Sequence, residues 1–104
     1  MGDQQQRPDV DTVERPDRKV KEPEMFRVIL HNDDYTTMEF VLEVLEQVFR
    51  KGPAEAYRIM MGVHQTGRGV AGVYPHEVAE THVMSVHERA RASGFPLRAS
   101  LEDA

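Results

Sequence analysis

The chain has 104 residues, enough for one small domain, and carries 18 acidic against 13 basic side chains, a net charge of −5. It has no cysteine, which excludes a disulfide framework and thiolate metal sites. Its acidity argues against general nucleic-acid binding and favours a partner or ligand with positive charge. No apolar run is long enough to span a membrane, and no basic-then-apolar leader opens the sequence; a cytoplasmic protein is expected.

Residues 1–24 read as a disordered N-terminal extension, with Pro8, Pro16 and Pro23, no aromatic residue, and Met1, Val10, Val13 and Val20 as the only apolar side chains. Such a segment buries too little surface to offset its ordering entropy. The globular part is expected over 25–104. Met25 to Leu30 reads as a strand. It runs into the polar junction His31-Asn32-Asp33-Asp34-Tyr35-Thr36-Thr37. This junction has two readings. Loops on rigid flanks carry function, yet Asn-Asp-Asp is also plain turn chemistry, and Thr36 with Glu39 forms a capping box.

A helix is predicted over 37–51, with Met38, Val41, Leu42, Leu45, Val48 and Phe49 at helical spacing. Gly52-Pro53 is expected to stop it and start a second helix over 53–65, with Ala56, Ile59, Met60 and Val63 on one face and His64 at its end. After Gly67-Arg68-Gly69, residues 70–74 read as a short strand. Pro75 opens a third helix over 75–93 with Val78, Ala79, Val83, Val86 and Ala90 inward, and Gly94 suits its C-terminal cap. Leu97, Ala99 and Leu101 alternate as a final strand, which Pro96 would place at an edge or limit in its hydrogen bonding. The order β-α-α-β-α-β predicts a small α+β domain: a three-stranded antiparallel sheet with helices packed on one face.

His76 and His82 superficially match a zinc-protease helix, but they are six apart where that motif needs four. No metal site is expected, and His82 and His87 read as members of a solvated face. Asp33 and Asp34 lack an accompanying nucleophile motif, so no catalytic residue and no cofactor are assigned. The methionines say more. Each alone is gap-filling core. If the first two helices run antiparallel, however, Met38, Val41, Met60, Val63 and His64 gather beside Asn32-Asp33-Asp34. An apolar hollow rimmed by carboxylates and an imidazole suits a large hydrophobic group next to a cation.

Several separated motifs then resemble one family: Asn-Asp-Asp-Tyr-Thr-x-Met-Glu-Phe-Val at 32–41, Val-His-x-x-Gly at 63–67, Gly-Val-Tyr at 72–74, Ala-Glu-Thr at 79–81 and Pro-Leu at 96–97. The chain resembles the ClpS family of Clp protease adaptors. The resemblance implies a fold like the C-terminal domain of the ribosomal stalk protein. It also implies a role, binding proteins by a destabilising N-terminal Phe, Leu, Tyr or Trp and delivering them to a Clp AAA+ ATPase of ClpA or ClpC type. It assigns Asn32, Asp34 and His64 to the substrate α-amino group, and Asp33 and Thr36 to its backbone. Met38, Val41, Met60, Val63 and Leu97 would line the side-chain pocket. Glu77, Glu80 and His82 would dock to the ATPase N-terminal domain, with His82 standing where the family often has lysine and Thr37 where it often has proline. A monomer that engages neither nucleic acid nor membrane is expected. Two alternatives stand beside this reading: a stalk-like interaction module without an amine pocket, and a small hydrolase using Asp33, Asp34 and His64.

Overall fold

The computed structural model describes residues 22–104. The extension expected over 1–24 therefore lies, apart from its last three residues, outside the described residues. The remainder has the expected order: β1 (Met25–His31), α1 (Met38–Gln47), α2 (Pro53–Thr66), β2 (Arg68–Pro75), α3 (His76–Ser93) and β3 (Arg98–Asp103). The sheet is antiparallel throughout, with β1 between β2 and β3. Both outer strands are edges, and the last begins two residues after Pro96.

Side chains alternate across a strand, so register sorts the sheet into two faces. Phe26, Val28 and Leu30 point to the helices, beside Leu101 and Ala99 of β3. Val28, Leu30, Val44, Leu45, Val63 and Val86 are essentially inaccessible to solvent and form the heart of the core. Fully burying side chains of this size contributes about 1.5–3 kcal/mol each. A bulge between Val28 and Ile29 sets Ala71 opposite no partner of its own. Ala71 is buried in the core, and the phase of β2 changes there.

The structure corrects several expectations about α1. Its buried stripe is shifted from the predicted one: Phe40 and Val44 are interior, whereas Met38 is exposed and Leu42 and Val48 are only partly buried. Its N-cap is Thr37, whose hydroxyl accepts from the Phe40 amide at 3.1 Å; Thr36 is engaged elsewhere. The helix also ends at Gln47 rather than near 51. Arg50 adopts φ 58°, and the Lys51 amide reaches back to the Leu45 carbonyl at 3.0 Å. A left-handed residue at this point is usually glycine. The early turn lets Phe49 fold back into the core, near Tyr74 and His82.

Gly52 and Pro53 act only at the next helix, as N-cap and first residue of α2. Strand β2 begins at Arg68 rather than Val70, and Leu97 precedes β3 as a buried core residue. In α3, Val78 is 44% exposed and not inward, whereas Ala79, Val86 and Ala90 are buried.

The histidines of α3 also depart from expectation. His87 accepts the Ala99 amide on Nε2 at 3.0 Å, tying α3 to β3. His82 is half-buried, its ring 4.6 Å from Tyr74 and 5.2 Å from Phe49. Neither belongs to a solvated face. Burial holds His82 below its ordinary value. Among the described residues no helix is long and apolar enough to cross a membrane.

The His82 environment dictates a pH dependence. Burial disfavours the imidazolium, so the unfolded chain takes up this proton before the folded one does. The stabilising contribution is complete above the unfolded value of about 6.5 and is lost as pH falls through the lower folded value. His31 is also lowered and adds a slope of the same sign. Urea unfolding should show stability declining on acidification below about pH 6.5. In His82→Phe that decline should be shallower, the His31 part remaining.

Candidate functional site

At the end of the sheet where β1 finishes, a hollow of about 250 Å³ opens between the β1–α1 loop, the start of α1 and the end of α2. It is lined by Asn32, Asp33, Asp34 and Thr36 from the loop, Met38 and Val41 from α1, and Met60, Val63 and His64 from α2. The juxtaposition follows from local chemistry. The Asn32 amide donates to the Gly67 carbonyl at 2.9 Å, pinning the end of β1 to the end of α2. Gly67 adopts φ 96° and its amide caps Val63, which terminates α2 where His64 faces the loop. Gly69 leaves room for α2 to approach, since a Cβ there would stand 2.8 Å from Val63 Cγ2.

The loop is held by one carboxylate. Asp33 Oδ1 accepts from the amides of Tyr35 at 2.8 Å and Thr36 at 2.7 Å, and Oδ2 accepts from the Thr36 hydroxyl at 2.8 Å. This is an Asx turn extended by a side-chain bond. Partial burial pushes the Asp33 carboxyl up, but the bonds from Thr36 and Tyr35 outweigh it and hold the group below its ordinary value. Asp33 and Thr36 thus shape the rim by binding each other.

Asn32, Asp34 and His64 are exposed, and among the described residues their side chains make no hydrogen bond. They are open to a ligand. Below them the surface is apolar: Val41, Met60 and Val63 are 7%, 3% and 2% exposed, while Met38 stands at the lip at 42%. The hollow therefore offers acceptors above and a dry floor beneath.

One expected pocket residue is elsewhere. Leu97 does not line this hollow; it borders a separate groove with His87, Ala90 and Phe95. Glu77 and Glu80 are exposed near the start of α3, with His82 packed beneath. Among the described residues no three His, Asp or Glu side chains converge as metal ligands. The residues that sequence reading missed are those that position others. Gly69 was legible only as a break, Gly67 as a break and as the end of the Val-His-x-x-Gly motif, and Thr66, whose hydroxyl lies 2.7 Å from the Gly62 carbonyl and 2.9 Å from that of Arg68, carried no signal.

Replacing Asp33 by Ala removes all three loop bonds. The Tyr35 and Thr36 amides should then exchange with solvent about tenfold faster, corresponding to about 1.4 kcal/mol of local stability. Hydrogen-exchange NMR reads this directly, with the Val44 and Leu45 amides as unchanged references.

Comparison with known proteins points to one family. The family model described as ATP-dependent Clp protease adaptor protein ClpS matches residues 21–100. The chain is 58% identical over 92 residues to the ATP-dependent Clp protease adapter protein ClpS of Desulfatibacillum aliphaticivorans, covering 88% of each. It is 62% identical over 85 residues to that of Nitratidesulfovibrio vulgaris, covering 82% of this chain and 85% of the relative. Among solved structures, Agrobacterium tumefaciens ClpS2 bound to L-phenylalaninamide superposes with a TM-score of 0.76 at 37% identity, over 80% of this chain and all of that one. With the motifs, the strand order and four-fifths of its length in agreement, the chain belongs to the ClpS family of ATP-dependent Clp protease adaptors.

Proposed function

We propose that the hollow binds the first residue of a protein substrate, and that this chain delivers such substrates to a Clp AAA+ ATPase. The observation that carries the reading is the meeting, in one hollow of about 250 Å³, of free polar acceptors with an apolar floor. That volume is below the range of about 300–1,000 Å³ typical of drug-sized ligands and suits a single side chain. The ammonium of an N-terminal residue has three donors and no acceptor. Asn32, Asp34 and His64 supply acceptors for it, through charge-assisted bonds roughly twice as strong as neutral ones.

A Phe, Leu, Tyr or Trp side chain would lie on Val41, Met60 and Val63, contributing about 1.5–3 kcal/mol. Internal residues lack the amine, and small N-terminal residues lack the apolar group, so selectivity needs both halves of the site. The ligand of the Agrobacterium protein, L-phenylalaninamide, joins the same two groups and supports the reading. Engagement of Asp33 with Thr36 and Tyr35 counts against the hydrolase alternative, which needs that carboxylate free.

Glu77 and Glu80, with His82 beneath them, would meet the N-terminal domain of a ClpA- or ClpC-type ATPase. Residues 1–24 would act during handover rather than in recognition. The work would be cytoplasmic and done by a monomer.

The amine half is tested by acetylation. N-acetylation of a Leu-initiated peptide removes the charge, and each lost bond to a charged group costs about 1.5–3 kcal/mol. Losing two should weaken binding by roughly two to four orders of magnitude in fluorescence anisotropy. Binding of the free peptide should also fall at alkaline pH, because its α-amine titrates near about 7.7–8.0 and must be protonated. Complexation raises that value, so the fall should begin somewhat higher. Equal affinity for the free and acetylated peptides refutes the reading.

Met38 tests the apolar half. It sits in the first turn of α1, where side chains lean back toward the preceding loop, and there it opposes a branch at the ligand β-carbon. Met38→Ala should admit peptides beginning with Ile or Val while retaining Leu. Continued rejection of both by the variant places the limit on another residue.

A further inference from the structure

The helices cover one face of the sheet; the other face carries a charge pattern that the amine site does not use. Cross-strand register arranges it in three rows. Val73, Arg27 and Glu102 form the first, Val70, Ile29 and Ser100 the second, and Arg68, His31 and Arg98 the third. Three arginines thus face one carboxylate, on a chain whose net charge is −5. That carboxylate is shared: Arg27 lies 3.5 Å from Glu102, and Arg68 reaches the same side chain across β1. Among the described residues Arg98 has no ion-pair partner. Two groups register the resulting potential. The hydrogen bond from Arg68 holds the Glu102 carboxyl below its ordinary value, and His31 is lowered by burial, then by Arg98 and Arg68.

The face is also partly apolar. Val70 and Val73 are 42% and 45% exposed. Ile29 lies in the central row, outside the main core, yet is only 1% exposed. The Arg68–Glu102 bridge runs from β2 to β3 across β1, the strand that carries Ile29.

We propose that this open sheet face is a second docking surface, taking an extended acidic segment of a partner protein whose carboxylates alternate with apolar side chains. Carboxylates would pair with Arg98 and share Arg27 and Arg68 with Glu102, each guanidinium having five donors in a planar fork. Apolar residues between them would cover Val70 and Val73. A nucleic acid is the poorer fit, because it offers no apolar groups for the valines and meets the repulsion of an acidic chain. The surface is separate from the amine hollow and does not depend on its assignment.

The test uses the full chain and a fluorescein-labelled, N-acetylated peptide of alternating Glu and Val. Acetylation keeps the probe out of an amine site. Saturable anisotropy is expected, with NMR shift changes at Ile29, Val70, Val73 and Ser100. The double variant Arg68→Ala, Arg98→Ala should weaken binding at least about tenfold, as should raising salt from about 50 mM to about 500 mM, which screens exposed pairs. Should the double variant fail to fold, the salt series and shift map on the unaltered protein decide the matter. No binding at about 1 mM protein, shifts confined to other surfaces, or equal affinity for an all-Glu peptide or an RNA oligonucleotide overturns the proposal.

Discussion

The hydrogen bond from the Asn32 amide to the Gly67 carbonyl, at 2.9 Å, is the contact on which the site depends. It joins two chain ends that arrive separately, the last residues of β1 and the cap of α2. The polar rim comes from the first, and Met60, Val63 and His64 come from the second. The bond works because each end is fixed independently. Asp33 closes the loop beyond Asn32 through three short bonds, and left-handed Gly67 caps α2 on Val63. Both devices use bonds within the chain, the first between Asp33 and residues 35 and 36, the second between Gly67 and Val63. Together they leave Asn32, Asp34 and His64 unengaged among the described residues, which is the condition for a site rather than a satisfied turn.

Most of this was legible in the sequence wherever it rested on periodicity. The stripes of Met38, Val41 and Leu45 and of Ala56, Ile59, Met60 and Val63 define two amphipathic helices. A short connection then makes them antiparallel neighbours, and the hollow follows. What escaped was decided by contacts distant in sequence or by competition between neighbouring groups. Thr36 and Thr37 are equally good caps on paper; Asp33 binds the first and leaves the second to cap α1. Arg50 gives no hint of its left-handed conformation. Its turn is imposed from outside, by the room for Phe49 beside Tyr74 and His82. His82 and His87 lie among polar neighbours in the sequence, and only the tertiary arrangement brings aromatic rings to one and the Ala99 amide to the other. Leu97 was assigned to the pocket by resemblance alone; it is buried in the same core as Val41, Met60 and Val63 and borders a separate groove at the surface.

The bulge at Ala71 connects the two faces of the sheet. With strict alternation from Tyr74, which packs against the core, Val70 and Arg68 would point toward the helices. An arginine so placed would be desolvated beside Val63 and Ile59 with no acid to meet it, a cost of several kcal/mol. One extra residue between Gly72 and Val70 reverses the phase. Gly69 then turns inward, where only the absence of a Cβ lets Val63 close the floor of the hollow. Arg68 turns outward to bridge Glu102. A single irregularity in β2 therefore shapes both the dry floor beneath the polar rim and the basic pattern on the opposite face. A residue inserted or removed there would disturb both, because in a strand a one-residue slip exchanges the faces of every side chain beyond it.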